Sequence, residues 1–366
     1  MLGKMKNTPL IAGIAALALA PGLALADVTI GTWMNYAYQT DPGDNPDRET
    51  WGTAGSEALM LYADHQKEDS NWLFSSEFRV GPGSFTDPDN NSSGSTYLMH
   101  KSYIAYNFEN AGLLKIGKSQ VPFGWKTDNF WPGDMLLGGY GDQMDVGVNY
   151  NANINDSLNY SVAYFQADDW GATSTDTADD NGHWGSSTTY RKVQTIAADI
   201  KWSMAKEHTL GFSVQAGLLQ DLSNELTNTE FKDVTGNHQA VSVYYVGQLS
   251  ENLSVKGQLD AIARDLPDNL NQEKIENVRA ATGINYNLDK WDFYLEATAA
   301  DTSTKGNNAD TVYAFAPGAK YNYGNGWFYI EYLSQDGYID SNGDSAENAK
   351  GNYEALYLTV DYYFSL

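Results

Sequence analysis

Apolar and polar residues alternate with a period of two through most of the chain. Val28, Ile30, Met34, Tyr36 and Tyr38 alternate with small or polar residues. Trp72, Phe74, Phe78 and Val80 oppose Ser75, Glu77 and Arg79. Met144, Val146, Val148 and Tyr150 stand against Asp145, Gly147, Asn149 and Asn151. Such a period places one set on each face of a β-strand. One face is greasy along its whole length and the other is small and polar, as in a strand with lipid outside and water inside.

About sixteen segments fit this template. They are Val28–Tyr38, Ser56–Gln66, Trp72–Val80, Thr96–Phe108, Leu113–Gln120, Gln143–Ala152, Leu158–Tyr164 and Tyr190–Met204. The rest are His208–Leu219, His238–Leu249, Leu253–Arg264, Asn277–Asn287, Trp291–Asp301, Thr311–Tyr323, Gly326–Gln335 and Tyr353–Ser365. The connections alternate strictly between short, Asn/Asp/Gly/Ser-rich turns and long polar segments. Outer-membrane barrels trim one end of every hairpin in this way, and a soluble sandwich has no reason to. The last strand keeps its apolar phase through Leu356, Leu358, Val360, Tyr362 and Phe364, as closure against the first strand requires when no water is present to pair an open edge. The prediction is an all-β, closed antiparallel transmembrane β-barrel of about sixteen strands, with the third long loop folded into the lumen. Aromatics at strand ends, such as Trp72, Trp202, Trp291, Trp327, Tyr362 and Phe364, read as interfacial girdles.

Composition narrows the picture. The chain has 366 residues, no cysteine, and 47 acids against 22 lysines and arginines, for a formal charge of −25. Residues 1–26 carry Lys4 and Lys6, a short apolar core and Ala24-x-Ala26, the pattern of a cleaved signal peptide. This leaves residues 27–366 as a single barrel domain. Removing two lysines and no acid takes the charge to −27, which excludes nucleic-acid binding by phosphate neutralisation. After the leader no run is long and apolar enough for a spanning helix. No GxSxG, HExxH or phosphate-loop motif is present, and the histidines are scattered, so the chain reads as a non-enzyme without cofactor or metal. Asp340, Asn342 and Asp344 mimic the first ligands of a calcium loop, but Ser345 stands where glycine is needed. The acidic long loops suit either loose divalent bridging to lipopolysaccharide or plain solvation.

The segment Lys115–Gly124, KIGKSQVPFG, together with His100–Phe108 upstream, resembles a recurring block of the phosphate-selective porin O/P family. The resemblance implies a homotrimer of barrels whose third loop narrows each lumen, and a lumenal ladder of basic residues that passes phosphate. This chain has no dense basic cluster in its third loop.

Candidate constriction residues on loop 121–142 are Trp125, Lys126, Asp128, Phe130, Trp131 and Asp134. Charges there would set ion preference by focusing the field. The aromatics would either form a slide for solutes or pin the loop to the wall. Phase assigns Arg79, Lys115, Arg191, Lys201, Lys256, Asp260, Arg264, Arg279 and Lys320 to the lumen. The basic residues among them would form one side of a transverse field or be neutralised by acids such as Glu77, Asp199, Asp260 and Glu296. The expected function is an outer-membrane porin of a Gram-negative bacterium, passing ions and small hydrophilic solutes with mild cation preference. A phosphate- or anion-selective channel, a sugar-specific channel, and a loop-plugged barrel serving as antigen or adhesin remain open alternatives.

Overall fold

The computed structural model describes residues 27–39, 52–66, 68–81, 97–109, 111–124, 127–132, 144–167, 190–221, 234–267, 274–340, 342–347 and 352–366. The strands are β1 (Asp27–Gln39), β2 (Thr53–Gln66), β3 (Trp72–Val80), β4 (Tyr97–Asn107), β5 (Leu113–Gln120), β6 (Met144–Asn155), β7 (Leu158–Ala167), β8 (Tyr190–Ala205) and β9 (His208–Asp221). They continue as β10 (Val234–Gln248), β11 (Leu253–Asp265), β12 (Lys274–Leu288), β13 (Trp291–Thr302), β14 (Val312–Asn322), β15 (Trp327–Gln335), β16 (Gly337–Ile339), β17 (Ser345–Glu347) and β18 (Tyr353–Ser365). Among the described residues, sixteen strands pair antiparallel with their neighbours in chain order. β18 returns to pair with β1 and closes the barrel, while β16 and β17 form a small separate hairpin. The seam is continuous from Thr29 opposite Ser365 to Gln39 opposite Ala355. Beyond it, the Leu366 amide donates to the Val28 carbonyl.

Burial is inverted relative to a water-soluble protein. Leu259, at the centre of β11, is 62% exposed, while Arg279 on β12 is fully buried. Ile196, Phe212, Val243, Ile284 and Phe315 also face outward, and Ser213, Gln215, Ser242, Asp260, Glu296 and Glu331 are buried on the other face. Only a barrel with hydrocarbon outside makes this arrangement favourable, because polar groups in the wall then keep their partners in the lumen.

At the short-turn end the backbone turns tightly. Glu109, Glu207 and Asp289 adopt positive φ there, the left-handed geometry that tight connections demand. Exposed aromatics ring the same end. Tyr106 meets Trp72 and Phe108 edge-on, and Trp291 lies against Phe293 and Tyr321. Amphipathic rings at the level of the headgroups anchor a barrel vertically.

Candidate functional site

The chain leaving β5 turns inward. Val121 and Phe123 pack on a lumenal patch formed by Ala163 and Phe165 of β7, Ala197 of β8, Ala240 of β10 and Ile262 of β11. Gly124 sits at φ 62°, and its amide donates to Ser213 Oγ on β9 at 3.0 Å. A Cβ at Gly124 would fall 2.6 Å from Gln258 Oε1. The backbone angle is what favours glycine, since the amide it would meet ends a flexible side chain.

Farther along, the segment meets the opposite side of the barrel. The Asp128 amide donates to Glu296 Oε1 at 2.8 Å, and Asn129 Nδ2 donates to Glu296 Oε2 at 2.6 Å. The Phe130 and Trp131 amides donate to the two oxygens of Glu331 at 2.6 and 3.2 Å. The remaining grip on Glu331 comes from the Tyr294 hydroxyl at 2.8 Å. Lys256 Nζ bridges Asp128 Oδ2 at 2.9 Å and Glu296 Oε1 at 2.7 Å. Loop amides with no partner of their own are thus satisfied by two buried carboxylates, whose charge is in turn met by charge-assisted bonds.

The aromatics of this segment act as wall anchors. Phe130 makes edge contacts with Trp33 of β1 and with Trp131, and tilts against Tyr329 of β15. Trp131 packs beside Ala300, Ala314, Ala316 and Leu333. Trp125, Lys126 and Asp134 lie outside the described residues.

The lumenal charges fall as follows. Arg79 is bonded to Glu77 at 2.7 Å and lies over the Trp33 ring. Lys201 pairs with Asp199 at 3.5 Å and Lys320 with Asp292 at 3.4 Å. Lys115 lies over the Tyr103 ring at 5.2 Å. Asp260 accepts from Gln258 Nε2 on its own strand. Arg264 and Arg279 are buried on the inward faces of β11 and β12.

Arg191 corrects the phase assignment. β8 carries a bulge between Val193 and Ile196, with Gln194 at φ 50°. The extra residue reverses inside and outside beyond it. Tyr190 and Lys192 are therefore the buried inward residues. Arg191 takes the outward register opposite Gln220, its Nε donating to Gln220 Oε1 at 2.8 Å.

A second inward element comes from the last long loop. The β16–β17 hairpin places its turn over the two arginines. Arg264 Nη1 donates to the Asn342 carbonyl at 3.2 Å and to the Tyr190 hydroxyl at 2.7 Å. Arg279 Nη2 and Asn277 Nδ2 both donate to the Gly343 carbonyl at 2.9 Å. The residues that mimic a calcium loop are consumed by this turn. Asp340 Oδ1 accepts from the Asn342 and Asp344 amides, and the Asp344 carboxylate accepts from Thr302 Oγ1 and Asn307 Nδ2. Burial holds the Asp340 carboxyl above its ordinary range, against the lowering effect of those amides.

Glu331 and the hairpin turn are docking elements that alternation alone does not single out. Their signal lies in the inward phase. Where it should be polar it carries alanine, at Ala163, Ala197, Ala240, Ala300, Ala314 and Ala316, and these are the places where loops dock.

No family model matches the chain, and no curated protein matches it in sequence. Solved structures do resemble it. The outer membrane channel DcaP of Acinetobacter baumannii aligns at TM-score 0.62 and 16% identity, over 93% of this chain and 98% of that one. The anion-selective porin of Comamonas acidovorans aligns at 0.60 and 11%, over 93% and 100%. The trimer form of OmpT, an outer membrane protein of Vibrio cholerae, aligns at 0.58 and 14%, over 93% and 99%. The fold is that of a porin-like β-barrel of the Gram-negative outer membrane.

Proposed function

We propose that the protein is a porin: a water-filled channel for passive diffusion of ions and small hydrophilic solutes, narrowed by the inner segment of loop 121–142. One observation carries this reading. Residues 121–124 pack on the inward faces of β7, β8, β10 and β11, and residues 128–131 are tied to inward carboxylates of β13 and β15 and to Trp33 of β1, which supports a loop that narrows the polar lumen. A homotrimer seated in lipid and lipopolysaccharide fits the same architecture, and the Vibrio structure is described as a trimer.

The charges fixed at the narrow segment are Asp128, Glu296 and Glu331 against Lys256. Fixed negative charge in a confined passage favours cations. The test is reconstitution in a planar bilayer with a salt gradient. Step-like openings and a reversal potential of cationic sign are expected. Silent membranes would support the loop-plugged barrel instead, and an anionic reversal potential would restore the phosphate-type reading. Current block by neutral sugars at millimolar concentration would instead mark a sugar-specific channel.

A further inference from the structure

We propose that the pocket on the short-turn side of the inner loop, built around Lys115, binds a small organic carboxylate. The inference rests on the channel reading above and names a solute class for it.

The pocket is a cavity of about 520 Å³ whose lining includes Lys115, Phe123, Asn149, Asn151, Ser161 and Lys201. Its polar side chains are donor-rich. Asn149 Nδ2 donates to the Gln120 carbonyl, Asn151 Nδ2 donates to Asn149 Oδ1, and Ser161 Oγ donates to Asn151 Oδ1. This chain occupies the amide oxygens and one N–H of each amide, leaving a second N–H on each. The one carboxylate in the lining, Asp199, is already engaged. It accepts from Ser213 Oγ at 2.8 Å and from the Tyr244 hydroxyl at 2.8 and 3.0 Å, and it pairs with Lys201.

Lys115 is the anomaly. Among the described residues no carboxylate comes within ion-pair distance of Lys101 or Lys115, in a chain with 47 acids and 22 basic residues. Glu77, which stands opposite Lys101 across β3 and β4, is bonded to Arg79 instead. Lys115 is held in place over the Tyr103 ring, and Gly117 opposite Tyr103 leaves no room for a side chain. A Cβ there would fall 2.4 Å from the Ser102 carbonyl and 3.2 Å from Tyr103 Cβ.

A lysine held over a ring, with no carboxylate within ion-pair distance among the described residues and with free N–H donors beside it, forms a seat for an anion. The Phe123 ring adds apolar surface that suits a carbon skeleton, which inorganic phosphate lacks. The narrow segment above carries excess negative charge and this pocket carries positive charge. An acid that passes the loop is therefore retained below it.

The test uses the full-length protein in detergent micelles, with glucuronate as probe and glucose and inorganic phosphate as comparators. Calorimetry should show saturable glucuronate binding, with glucose and phosphate weaker. K115Q should weaken it about tenfold or more, and K115R should largely retain it. K206Q, on an exposed turn, should change nothing. No saturable glucuronate binding, phosphate binding as tightly as glucuronate, or full binding by K115Q that still forms a heat-resistant barrel would each overturn the proposal. Bilayer recordings on the same preparations separate the two readings. Openings without glucuronate binding would remove the site and leave the channel. Binding without openings would remove the channel reading and leave the site.

Discussion

Glu331→Ala offers a direct test of how the inner loop is held. The carboxylate accepts the Phe130 and Trp131 amides at 2.6 and 3.2 Å, and both bonds vanish with the side chain. A hydrogen bond to a charged group contributes about 1.5–3 kcal/mol, so the pair contributes about 3–6 kcal/mol to docking. With about 1.4 kcal/mol per factor of ten, the ratio of docked to released loop falls by about two to four powers of ten. The loop retains its grip on Glu296 and the packing of Phe130 on Trp33 and Tyr329. The single variant should therefore show noisier openings, and Glu296→Ala with Glu331→Ala should show larger ones. Glu331→Gln keeps an acceptor oxygen and should fall between. Single-channel recording in planar bilayers reads conductance and open-channel noise together. If the double variant matches the unaltered protein in conductance, noise and selectivity, these carboxylates do not hold the loop.

Three further outcomes follow from the wall and the hairpin. Leu259→Arg places a charge on the lipid face at mid-strand and should cost about 2–4 kcal/mol in urea unfolding from vesicles, whereas Thr209→Arg on the lumenal face should cost much less. Gly117→Val combines φ 130° with a clash against the Ser102 carbonyl and should destabilise by at least about 2 kcal/mol. Gly257→Ala, whose new carbon meets only Ala281 O at 3.9 Å, should be near neutral in the same assay. Because the folded Asp340 carboxyl lies above its ordinary value, its contribution is fully present below the unfolded value and is lost as pH rises through the folded one. Amides of the β16–β17 hairpin should then exchange more slowly at pH 4 than at pH 7 after correction for intrinsic rates, and Asp340→Asn should flatten the difference.

Strand positions and faces were legible in the residues because the barrel imposes one rule everywhere, lipid on one side and water on the other. Val146, Val148, Val162 and Tyr164 face outward as simple alternation dictates. Alternation misses the bulge at Gln194, which no glycine or proline announces, and Arg191 and Lys192 exchange faces as a result. Nor does local pattern reveal that Glu331 receives amides from a segment 200 and 201 residues earlier. That pairing depends on closure of the whole ring. The hairpin turn is the same case. Asp340 and Asp344 look like cation ligands in isolation, and only their neighbours show them capping a turn.

The seam between β1 and β18 has a consequence for biogenesis. The free edge of the first strand is satisfied by β18, the barrel strand farthest from it along the chain. No chain that lacks β18 can complete the ring, so the polypeptide must be kept from collapsing or aggregating until the residues of that strand are available. Deleting those residues should leave an open-edged intermediate that periplasmic proteases clear, however sound the other hairpins are.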